Sequence, residues 1–505
     1  MDLTLGQVIR NNANAKPHGV AISCGEQALT WRDFDQRSDQ CAVAMRNQGV
    51  EPGDRVALLM KNTIEFYEIL VACNKINAVT VGLNWRLSER ELLEIISDAS
   101  PSMLIVDGEA ASIANAFERT NSCISSIVLG DEYECWLSDA PQQPLLLEPD
   151  LESVMLILYS SGTTGRPKGI MLTQRNFGFV RRMAVELFRM RRESVYLLGS
   201  PLFHVGGVAT GTALMTLGGR TVLLRDVDPD NVLDTIEREH ITHTFFVPAI
   251  IQRLVSAQEA TPRDLSSLEI MAYGAAPMTQ TLLHKAISVL ECGVLGCYGM
   301  TETAGTVTAL FPEEHQTEGK HVQRLNSVGR VLPWAEIKLV DPRTGLQAEV
   351  DSFGEIWVRS QANTPGYFNN SAATETTITK DGWLRTGDGA CCDRDGFIYL
   401  KDRIKDMIIS GGENVYPIEV ENILAEHPDI IDSAVIGVPS ERWGETVKAL
   451  VVARTDGELK PEDVIEFTRA RLAHYKCPTS VEMVAELPRT ATGKVQKNAL
   501  RSQYQ

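Results

Sequence analysis

The sequence of 505 residues lacks the features that mark nucleic-acid-binding, secreted and membrane-spanning proteins. Its formal net charge is −18, whereas nucleic-acid binders usually carry a basic patch or a basic domain. The first residues, MDLTLGQVIRNNANAKP, hold acids and amides where a signal peptide has a basic segment followed by an apolar one. The longest apolar runs, such as 154–159, are far shorter than the roughly 20 residues needed to cross a bilayer. We therefore predict a cytoplasmic globular protein with no nucleic-acid partner.

Several chemical motifs are also missing. The 10 cysteines are scattered without a CxxC pair, which favours reduced thiols over a disulfide framework or a zinc site. Neither GxSxG nor HExxH occurs, so the sequence supports neither an α/β-hydrolase nor a zinc metalloprotease. No internal repeat or low-complexity tract is present. The composition is that of a soluble enzyme, and the length predicts more than one domain.

The first four hundred residues alternate short β-branched runs with helical periodicity. The runs are RVALLM at 55, AVTVGL at 78, VMLILY at 154, RTVLLR at 220 and HTFFVP at 243. This rhythm is typical of βαβ units on parallel sheets. Between 327 and 360 closely spaced strands, separated by DPRTG and DSFG, indicate a small antiparallel subdomain.

A unit with its own apolar set begins after Asp406. It contains a helix carrying Ile418, Ile423 and Leu424, strands SAVIGV, KALVVA and SVEMV, and a helix opened by Pro461. We therefore predict an α/β fold. A large N-terminal domain, 1–404, combines parallel-sheet βαβ subdomains with a small antiparallel barrel-like subdomain. A small α+β C-terminal domain, 405–505, follows it.

The segment SSGTTGRPKG, 160–169, directly follows a predicted buried strand. Glycines let backbone N–H groups approach an anion, hydroxyls add donors, and Lys168 adds positive charge. The pattern predicts triphosphate binding rather than a flexible surface loop. It is not a Walker A loop, because Lys168 stands between proline and glycine rather than between glycine and a hydroxyl residue. The candidate phosphate-binding residues are Ser160, Ser161, Gly162, Thr163, Thr164, Gly165 and Lys168.

Six segments, in the order in which a known family has its motifs, give the chain its resemblance to that family. They are SSGTTGRPKG, YGAAP at 273–277, YGMTET at 298–303, RTGD ending at Asp388, KDRIKDMIISGGENVYP at 401–417 and PRTATGK ending at Lys494. The chain resembles the adenylate-forming superfamily, which includes acyl-CoA synthetases, peptide-synthetase adenylation domains and firefly luciferases. The resemblance covers nearly the whole chain. It implies an ATP-dependent acid:CoA ligase, with ATP, Mg²⁺ and coenzyme A as its small molecules.

The resemblance implies roles for residues around the nucleotide. The ring of Tyr298 stacks on adenine, the hydroxyl of Thr301 reaches the α-phosphate, and the carboxylate of Glu302 holds Mg²⁺. Asp388 offers two oxygens to the ribose hydroxyls, with Arg403 near the same sugar. The other implied nucleotide contacts are Gly274, Ala275, Ala276, Gly299 and Met300.

The resemblance also implies a mobile C-terminal domain that serves two reactions. Lys494 supplies positive charge between the acid carboxylate and the α-phosphate during adenylation. The domain then turns about a hinge at Lys405, withdraws the lysine and brings a glycine-rich loop to the pantetheine tunnel. Gly411, Gly412 and Trp443 are the implied coenzyme A contacts, although packing alone explains Trp443 equally well.

His204 in PLFHVGG corresponds to the family's histidine at the mouth of the acyl pocket, where we expect a gating or positioning role. The expected pocket walls carry no acidic or basic side chain for a second charged group, which favours a hydrophobic monocarboxylic acid. A medium or long-chain fatty acid is the first expectation, and an aryl acid such as a hydroxycinnamate or benzoate is the alternative. The expected acyl-pocket residues are His204, Val205, Gly206, Val247 and Gly299.

Alternatives within and outside the family remain open at this stage. The acyl-adenylate could be passed to a carrier protein, although no carrier-like segment is appended before Gln505. A luciferase-type oxygenase shares every motif, whereas an inactive scaffold would be expected to have lost Lys494, Glu302 or Asp388. On a helical wheel, residues 176–190 place apolar side chains on one side and arginines on the other. This pattern predicts either a packed helix or weak membrane-surface contact through 181–192, and a homodimer is a further expectation.

Overall fold

The computed structural model describes residues 3–114, 125–160, 167–276, 278–403, 406–410, 413–440, 444–454, 459–489 and 495–504. The side chains of residues 402, 403, 409, 413 and 414 are outside this description. The strands, numbered in chain order, are β1 Val20–Cys24, β2 Gln27–Thr30, β3 Arg55–Leu59, β4 Val79–Gly82, β5 Met103–Val106, β6 Ser125–Val128, β7 Val154–Ser160, β8 Lys168–Thr173, β9 Val195–Leu198, β10 Arg220–Leu223, β11 His243–Phe246, β12 Ile270–Gly274, β13 Gly293–Met300, β14 Gly305–Leu310, β15 Arg330–Val331, β16 Glu336–Val340, β17 Gly354–Arg359, β18 Leu384–Cys392, β19 Ile398–Arg403, β20 Ile408–Ser410, β21 Glu413–Val415, β22 Ile430–Ser440, β23 Gly444–Ala453 and β24 Ser480–Met483.

Helices connect these strands, and several begin with a side-chain cap. Thr4, Thr30 and Ser88 each accept a hydrogen bond from the backbone N–H three residues later, which satisfies a donor that the helix itself cannot. The described α-helices are Leu5–Ala15, Trp31–Asn47, Ile64–Lys75, Glu89–Ala99, Asp131–Ser138, Gln174–Phe177, Val180–Arg182, Val205–Met215, Pro229–Glu239, Pro248–Ala260, Gln280–Leu290, Ser371–Thr377, Pro417–Leu424, Pro461–Arg469 and Lys497–Tyr504.

Two largely parallel sheets form the centre of the molecule. The nine-stranded sheet has the order β15-β14-β13-β12-β11-β9-β10-β1-β2, and the six-stranded sheet has the order β6-β5-β3-β4-β7-β8. Antiparallel pairs occur at the edges of both, whereas the inner pairs are parallel. Every residue of β5 and β11 is buried, as expected for parallel strands covered on both faces. The βαβ organisation predicted from the periodicity is confirmed.

Two smaller sheets complete the fold. Strands β16 to β19 form a four-stranded antiparallel sheet, which confirms the predicted antiparallel subdomain. Strands β20 to β24 form a separate five-stranded sheet packed with helices Pro417–Leu424 and Pro461–Arg469, so the predicted α+β unit is also present. Residues 404 and 405 are outside the described residues, and the boundary between them stays a prediction.

The predicted motif segments lie at the carboxyl ends of parallel strands. Tyr273 and Gly274 end β12, Tyr298 to Met300 end β13, and Val247 directly follows β11, all in the nine-stranded sheet. Ser160 ends β7 in the six-stranded sheet. In sheets of this type the carboxyl ends of the strands form the crevice where ligands bind. Topology therefore collects segments that are far apart in the sequence.

A buried ion network joins three of the N-terminal helices. The side chain of Lys75 is fully buried, and its ammonium lies 2.7 Å from a carboxylate oxygen of Asp35 and 2.7 Å from one of Asp39. Arg10 pairs with Asp39 at 2.6 Å from the first helix. Ser38 accepts a further hydrogen bond from Lys75 at 2.9 Å. Each buried charge therefore has partners of opposite sign or polar character.

We expect Lys75→Met to destabilise the protein by about 3–5 kcal/mol, because it leaves buried carboxylates without their ammonium partner. Thermal or urea unfolding of the variant measures this loss. Lys285→Met is the matched control, since the ammonium of Lys285 reaches the exposed Glu259 at 3.4 Å and such a surface pair contributes about 0–1 kcal/mol. Equal effects of the two substitutions would contradict a structural role for the buried network.

Two buried histidines make stability depend on pH. Burial lowers the pKa of both His243 and His315 to about 4. In the unfolded chain these side chains bind protons near pH 6.5, whereas in the folded protein they stay neutral until about pH 4. The free energy of unfolding is therefore highest above pH 6.5. It falls by about 1.4 kcal/mol per pH unit for each histidine as the pH drops from 6.5 towards 4. We expect His243→Gln to be less stable at pH 7 but to lose less stability than the wild type between pH 6.5 and 4.5. A His243→Gln protein that keeps the wild-type pH dependence in a thermal unfolding series would contradict this expectation.

The segment 174–190 is helical but interrupted. Helices Gln174–Phe177 and Val180–Arg182 lead into a π-helical turn, Met183–Leu187. The apolar side predicted from the helical wheel is buried against the core. Arg182 pairs with Glu186 at 2.7 Å, and Arg189 pairs with Glu313. The arrangement fits a core-packed helix with a charged outer face, while membrane contact and the homodimer remain predictions. Among the described residues every helix is too short or too polar to cross a bilayer.

Candidate active site

The glycine-rich segment begins at the last residue of β7, and its Lys168 is the first residue of β8, which pairs antiparallel with β7. Ser160, the last residue of β7, pairs with Lys168, the first residue of β8. Residues 161–166 between them are outside the described residues, and so are the candidate phosphate contacts Ser161, Gly162, Thr163, Thr164 and Gly165. The ammonium of Lys168 lies 5.2 Å from the centre of the Tyr367 ring, within the range of a cation–π contact.

Segment 273–276 is packed so closely that its glycine is required. A Cβ on Gly274 would lie 2.5 Å from the carbonyl oxygen of Cys297 on the neighbouring strand. Ala275 follows with a φ of +65°, a left-handed conformation that is uncommon outside glycine and often marks a functional turn. Burial raises the pKa of Tyr273, whose hydroxyl bonds the buried His315 at 3.2 Å. Tyr273 is therefore a neutral core residue, and the exposed residue Ala275 lies two positions after it.

The end of β13 joins two of the predicted nucleotide contacts. The hydroxyl of Tyr298 donates a 2.7 Å hydrogen bond to a carboxylate oxygen of Asp388, which lies 90 residues further along the chain. A Cβ on Gly299 would lie 2.0 Å from the carbonyl oxygen of Gly305, so only glycine fits there. After Met300 the chain turns through a 3-10 helix, Thr301–Thr303. The structure thus brings the predicted adenine and ribose residues into contact.

Asp388 is held by the four-stranded sheet. Gly387 has a φ of +73°, and the backbone N–H of Asp388 donates to Thr386 Oγ1 at 3.0 Å. Across the ladder Asp388 is paired with Arg403, so the backbones of these predicted ribose contacts are adjacent. The Arg403 side chain is outside the described part of the chain.

Glu302 is buried, with 8% of its surface exposed. Its Oε1 accepts a 2.9 Å hydrogen bond from the hydroxyl of Tyr367, and its backbone oxygen accepts one from the backbone N–H of Thr364 at 2.7 Å. A hard carboxylate oxygen suits Mg²⁺, which typically takes one or two protein carboxylates together with substrate phosphates. Among the described residues no group of three or more His, Cys, Asp or Glu side chains gathers as a metal site. Glu302 therefore fits a magnesium ion that is shared with a bound triphosphate.

Three of the predicted acyl-pocket residues, His204, Val205 and Gly206, lie at the start of helix Val205–Met215, and Val247 follows strand β11. His204 is the residue preceding this helix, and its ring lies 4.6 Å from that of Phe203. A Cβ on Gly206 would lie 3.4 Å from Phe245, and a Cβ on Gly274 would lie 3.3 Å from the same ring. Phe245 thus lies between a predicted pocket residue and a predicted nucleotide contact.

Sequence reasoning missed two residues of this site. Tyr367 follows PG in a loop, and no local pattern ties it to Glu302, 65 residues away. Phe245 belongs to a fully buried strand, where an aromatic side chain indicates core packing. A signal did exist for Phe245, because it stands two residues before Val247, which was assigned to the pocket. For Tyr367 the only signal was its hydroxyl, which a buried tyrosine usually satisfies with a partner.

The implied hinge, catalytic and coenzyme A residues of the C-terminal unit are outside the described residues. They are Lys405, Gly411, Gly412, Trp443 and Lys494. Their flanks are described: Ser410 pairs with Gly444 between β20 and β23, and Arg489 forms a β-bridge with Val495. Lys497, after the PRTATGK segment, pairs with Glu421 at 2.9 Å. The roles of the five residues themselves remain predictions.

Comparisons with known proteins cover almost the whole chain. Residues 9–368 match the AMP-binding enzyme family, and residues 419–494 match the AMP-binding enzyme C-terminal domain. A feruloyl-CoA synthase of Amycolatopsis sp is 36% identical over 99% of this chain and 99% of its own length. The fatty acid–[acyl-carrier-protein] ligase ScoC of Streptomyces coeruleorubidus is 32% identical over 99% of this chain and 96% of its own. The solved structure of o-succinylbenzoate CoA synthetase from Bacillus subtilis, in complex with the acyl-adenylate intermediate OSB-AMP, is 28% identical with a TM-score of 0.88, covering 98% of this chain and 97% of its own.

Proposed function

The chain belongs to the AMP-binding enzyme family, and from this premise we propose that it is an acid:CoA ligase acting on a hydrophobic monocarboxylic acid. The resemblance to adenylate-forming enzymes is thereby confirmed, as is the expected α/β fold with its small C-terminal unit. AMP-forming acid ligation is the chemistry of this family. The acid, the thiol acceptor and the residue roles below are the proposal.

One observation carries the proposal most directly. The hydrogen bond between Tyr298 and Asp388 joins the end of a parallel strand to the four-stranded sheet, and Glu302 lies in the turn that follows Tyr298. This arrangement supports a nucleotide whose adenine stacks on Tyr298 and whose ribose hydroxyls bond Asp388. Its phosphates would then extend past Thr301 towards Glu302 and Lys168. Arg403 would lie on the ribose side, next to Asp388.

In the first half-reaction a carboxylate oxygen of the acid attacks the α-phosphorus of ATP. The bond between the α-phosphorus and its bridging oxygen breaks, and pyrophosphate leaves with the bonding electrons. Thr301 and Lys494 stabilise charge on the α-phosphate, while Lys168 and the glycine-rich loop hold the leaving phosphates. When bound, Mg²⁺ would be held by Glu302 and would neutralise phosphate oxygens. The acid itself is the nucleophile, so no serine or cysteine nucleophile is needed.

In the second half-reaction the thiol sulfur of coenzyme A attacks the carbonyl carbon of the acyl-adenylate, and AMP leaves. A proton is released from the thiol in the process. We assign the pantetheine contacts to Gly411, Gly412 and Trp443, and the hinge of the domain rotation to Lys405. His204 would then position the acyl group at the mouth of its pocket. Because one active site is proposed to serve both half-reactions, Lys494 must move out of the site after the first half-reaction.

The acid is proposed to be aromatic rather than a long-chain fatty acid, which the sequence alone had favoured. The ring of Phe245 lies beside both Gly206 and Gly274, and an aromatic side chain next to the expected pocket residues can pack against the planar ring of an aryl acid. The feruloyl-CoA synthase has the highest identity of the relatives described above. A carrier protein in place of coenzyme A is the second candidate, and the identity with ScoC over nearly the whole chain favours it.

Release of pyrophosphate and AMP tests the proposal. Purified protein is incubated with ATP, Mg²⁺ and a panel of hydroxycinnamates, benzoates, short acids and fatty acids, with and without coenzyme A. Steady turnover that needs coenzyme A and is fastest with one aryl acid is the expected result. Stoichiometric pyrophosphate release that coenzyme A does not stimulate would overturn the thiol assignment, and a carrier protein bearing phosphopantetheine would be the acceptor to add next. Preference for fatty acids would overturn the acid assignment alone.

A further inference from the structure

Residues 364–368 form a bracket between two parts of the proposed phosphate site, and nothing in the family motifs described above assigns them a role. On one side the bracket is bonded to β8, the strand that begins with Lys168. The backbone N–H of Met171 donates to the carbonyl of Gly366 at 3.1 Å, and that of Phe368 donates to the carbonyl of Gly169 at 2.7 Å. An isolated β-bridge joins Ile170 to Tyr367.

On its other side the bracket holds the turn that carries Glu302. The backbone N–H of Thr364 donates to the carbonyl oxygen of Glu302 at 2.7 Å, and the Tyr367 hydroxyl donates to Glu302 Oε1 at 2.9 Å. Thr364 is itself fixed, because its hydroxyl donates to the carbonyl of Met171 at 2.6 Å. The bracket therefore determines the distance between β8 and the Glu302 turn.

The side chain of Tyr367 touches both charged groups of the proposed phosphate site. Its ring centre lies 5.2 Å from the ammonium of Lys168, and its hydroxyl bonds the carboxylate of Glu302. Tyr367 and Glu302 are both buried, at 7% and 8% exposure, so the hydrogen bond is shielded from competing water. A single aromatic residue thus positions a cation through its face and an anion through its hydroxyl.

We propose that Tyr367 is a positioning residue for magnesium-bound ATP, an inference that rests on the proposed function. Its hydroxyl occupies one oxygen of the Glu302 carboxylate and orients the other for a metal ion. Neighbours that orient a ligating carboxylate in this way commonly change metal affinity about 10–100-fold when removed. The ring contacts Lys168 at the carboxyl-terminal end of the glycine-rich segment. The hydroxyl therefore serves the metal-dependent part of ATP binding, and the ring serves the metal-independent part.

Tyr367→Phe separates these two parts, because it removes only the hydroxyl. ATP binding to the full chain is measured by isothermal titration calorimetry in the presence of Mg²⁺ and again in EDTA. We expect the affinity for ATP with Mg²⁺ to weaken about tenfold, and the affinity in EDTA to stay within about twofold of the wild type. Tyr367→Leu should weaken binding under both conditions, since it also removes the ring beside Lys168. Thermal unfolding confirms that each variant is folded.

Tyr399→Phe is the matched control. The hydroxyl of Tyr399 also donates to a carboxylate oxygen, Oδ2 of Asp393, at the same distance of 2.9 Å, but it does so in the four-stranded sheet. This variant should bind ATP like the wild type under both conditions. Equal weakening of Tyr367→Phe with Mg²⁺ and in EDTA, or no weakening in either, would overturn the inference while leaving the proposed function intact. A wild-type protein that binds ATP equally well with and without Mg²⁺ would also overturn the inference alone, whereas a wild-type protein that binds no ATP under either condition would overturn the proposed function as well.

Discussion

Lys494→Ala should lose adenylation while retaining thioester formation. Because the lysine is proposed to place positive charge between the acid carboxylate and the α-phosphate, its removal takes away charge stabilisation that exists in the first transition state. We expect pyrophosphate release to slow about 100–1,000-fold, the range for loss of one such stabilising group. The thioester step begins from an adenylate that already exists and, in the proposed alternation, takes place after the lysine has been withdrawn. It should therefore proceed within about threefold of the wild-type rate.

The measurement supplies each variant with chemically prepared acyl-adenylate and coenzyme A, and follows the thioester. Pyrophosphate release from ATP and the free acid is followed in a parallel experiment. Lys285→Ala, an exposed lysine paired with Glu259, is the control and should leave both rates unchanged. If the two half-reactions of Lys494→Ala slowed equally, one domain arrangement would have to serve both steps, and the proposed alternation at Lys405 would be wrong.

Glu302→Gln should produce the second large effect. The substitution keeps the shape of the side chain and an oxygen that can accept the Tyr367 hydroxyl, but it removes the negative charge proposed to hold Mg²⁺. A bound metal ion stabilises the charge of a phosphoryl-transfer transition state by several kcal/mol. Because Glu302→Gln weakens the binding of this ion, we expect kcat/KM for ATP to fall about 100-fold at ordinary Mg²⁺ concentrations. Because binding of the ion is weakened rather than abolished, part of the activity should return as Mg²⁺ is raised.

A titration of pyrophosphate release against Mg²⁺ concentration measures this effect. Glu318→Gln is the control, since Glu318 is an exposed glutamate and its substitution removes the same single negative charge from the protein. A Glu302→Gln enzyme that keeps wild-type Mg²⁺ dependence would show that another group holds the ion. The Lys494→Ala enzyme, in contrast, should not recover when Mg²⁺ is raised, which distinguishes the two kinds of charge.

The structure confirms most of the organisation that the sequence predicted. The β-branched runs at 55, 78, 154, 220 and 243 form strands as predicted, because a short continuous apolar run between helical segments is a local property of the sequence. The predicted helix at Pro461 begins at that residue, since proline suits the first turn of a helix. The helical pattern across 176–190 was only partly followed, because a π-helical turn interrupts it at 183–187 while its apolar side is still buried.

Some features of the candidate site could be predicted from neighbouring residues, whereas others depend on contacts between residues far apart in the sequence. Glycine positions were readable because close backbone approach excludes a side chain, as at Gly274 and Gly299. The resemblance implied that Tyr298 and Asp388 serve the same nucleotide, but the direct hydrogen bond between them, across 90 residues of sequence, came only from the structure. The link from Tyr367 to Glu302 had no counterpart in any motif. The position of Phe245 in the site could not be predicted, because an aromatic residue in a buried strand normally indicates core packing.

The sequence by itself determined the family, the order of the motifs, the α/β architecture and the class of reaction, because these follow from local patterns of hydrophobicity, glycine and charge. Only the tertiary structure decided which side chains share a site. The bracket that joins Lys168 to Glu302 through Tyr367, and the ring of Phe245 between Gly206 and Gly274, depend on how strands distant in sequence are packed. Distances of this kind are set by the packing of the whole core rather than by the residues on either side of a motif.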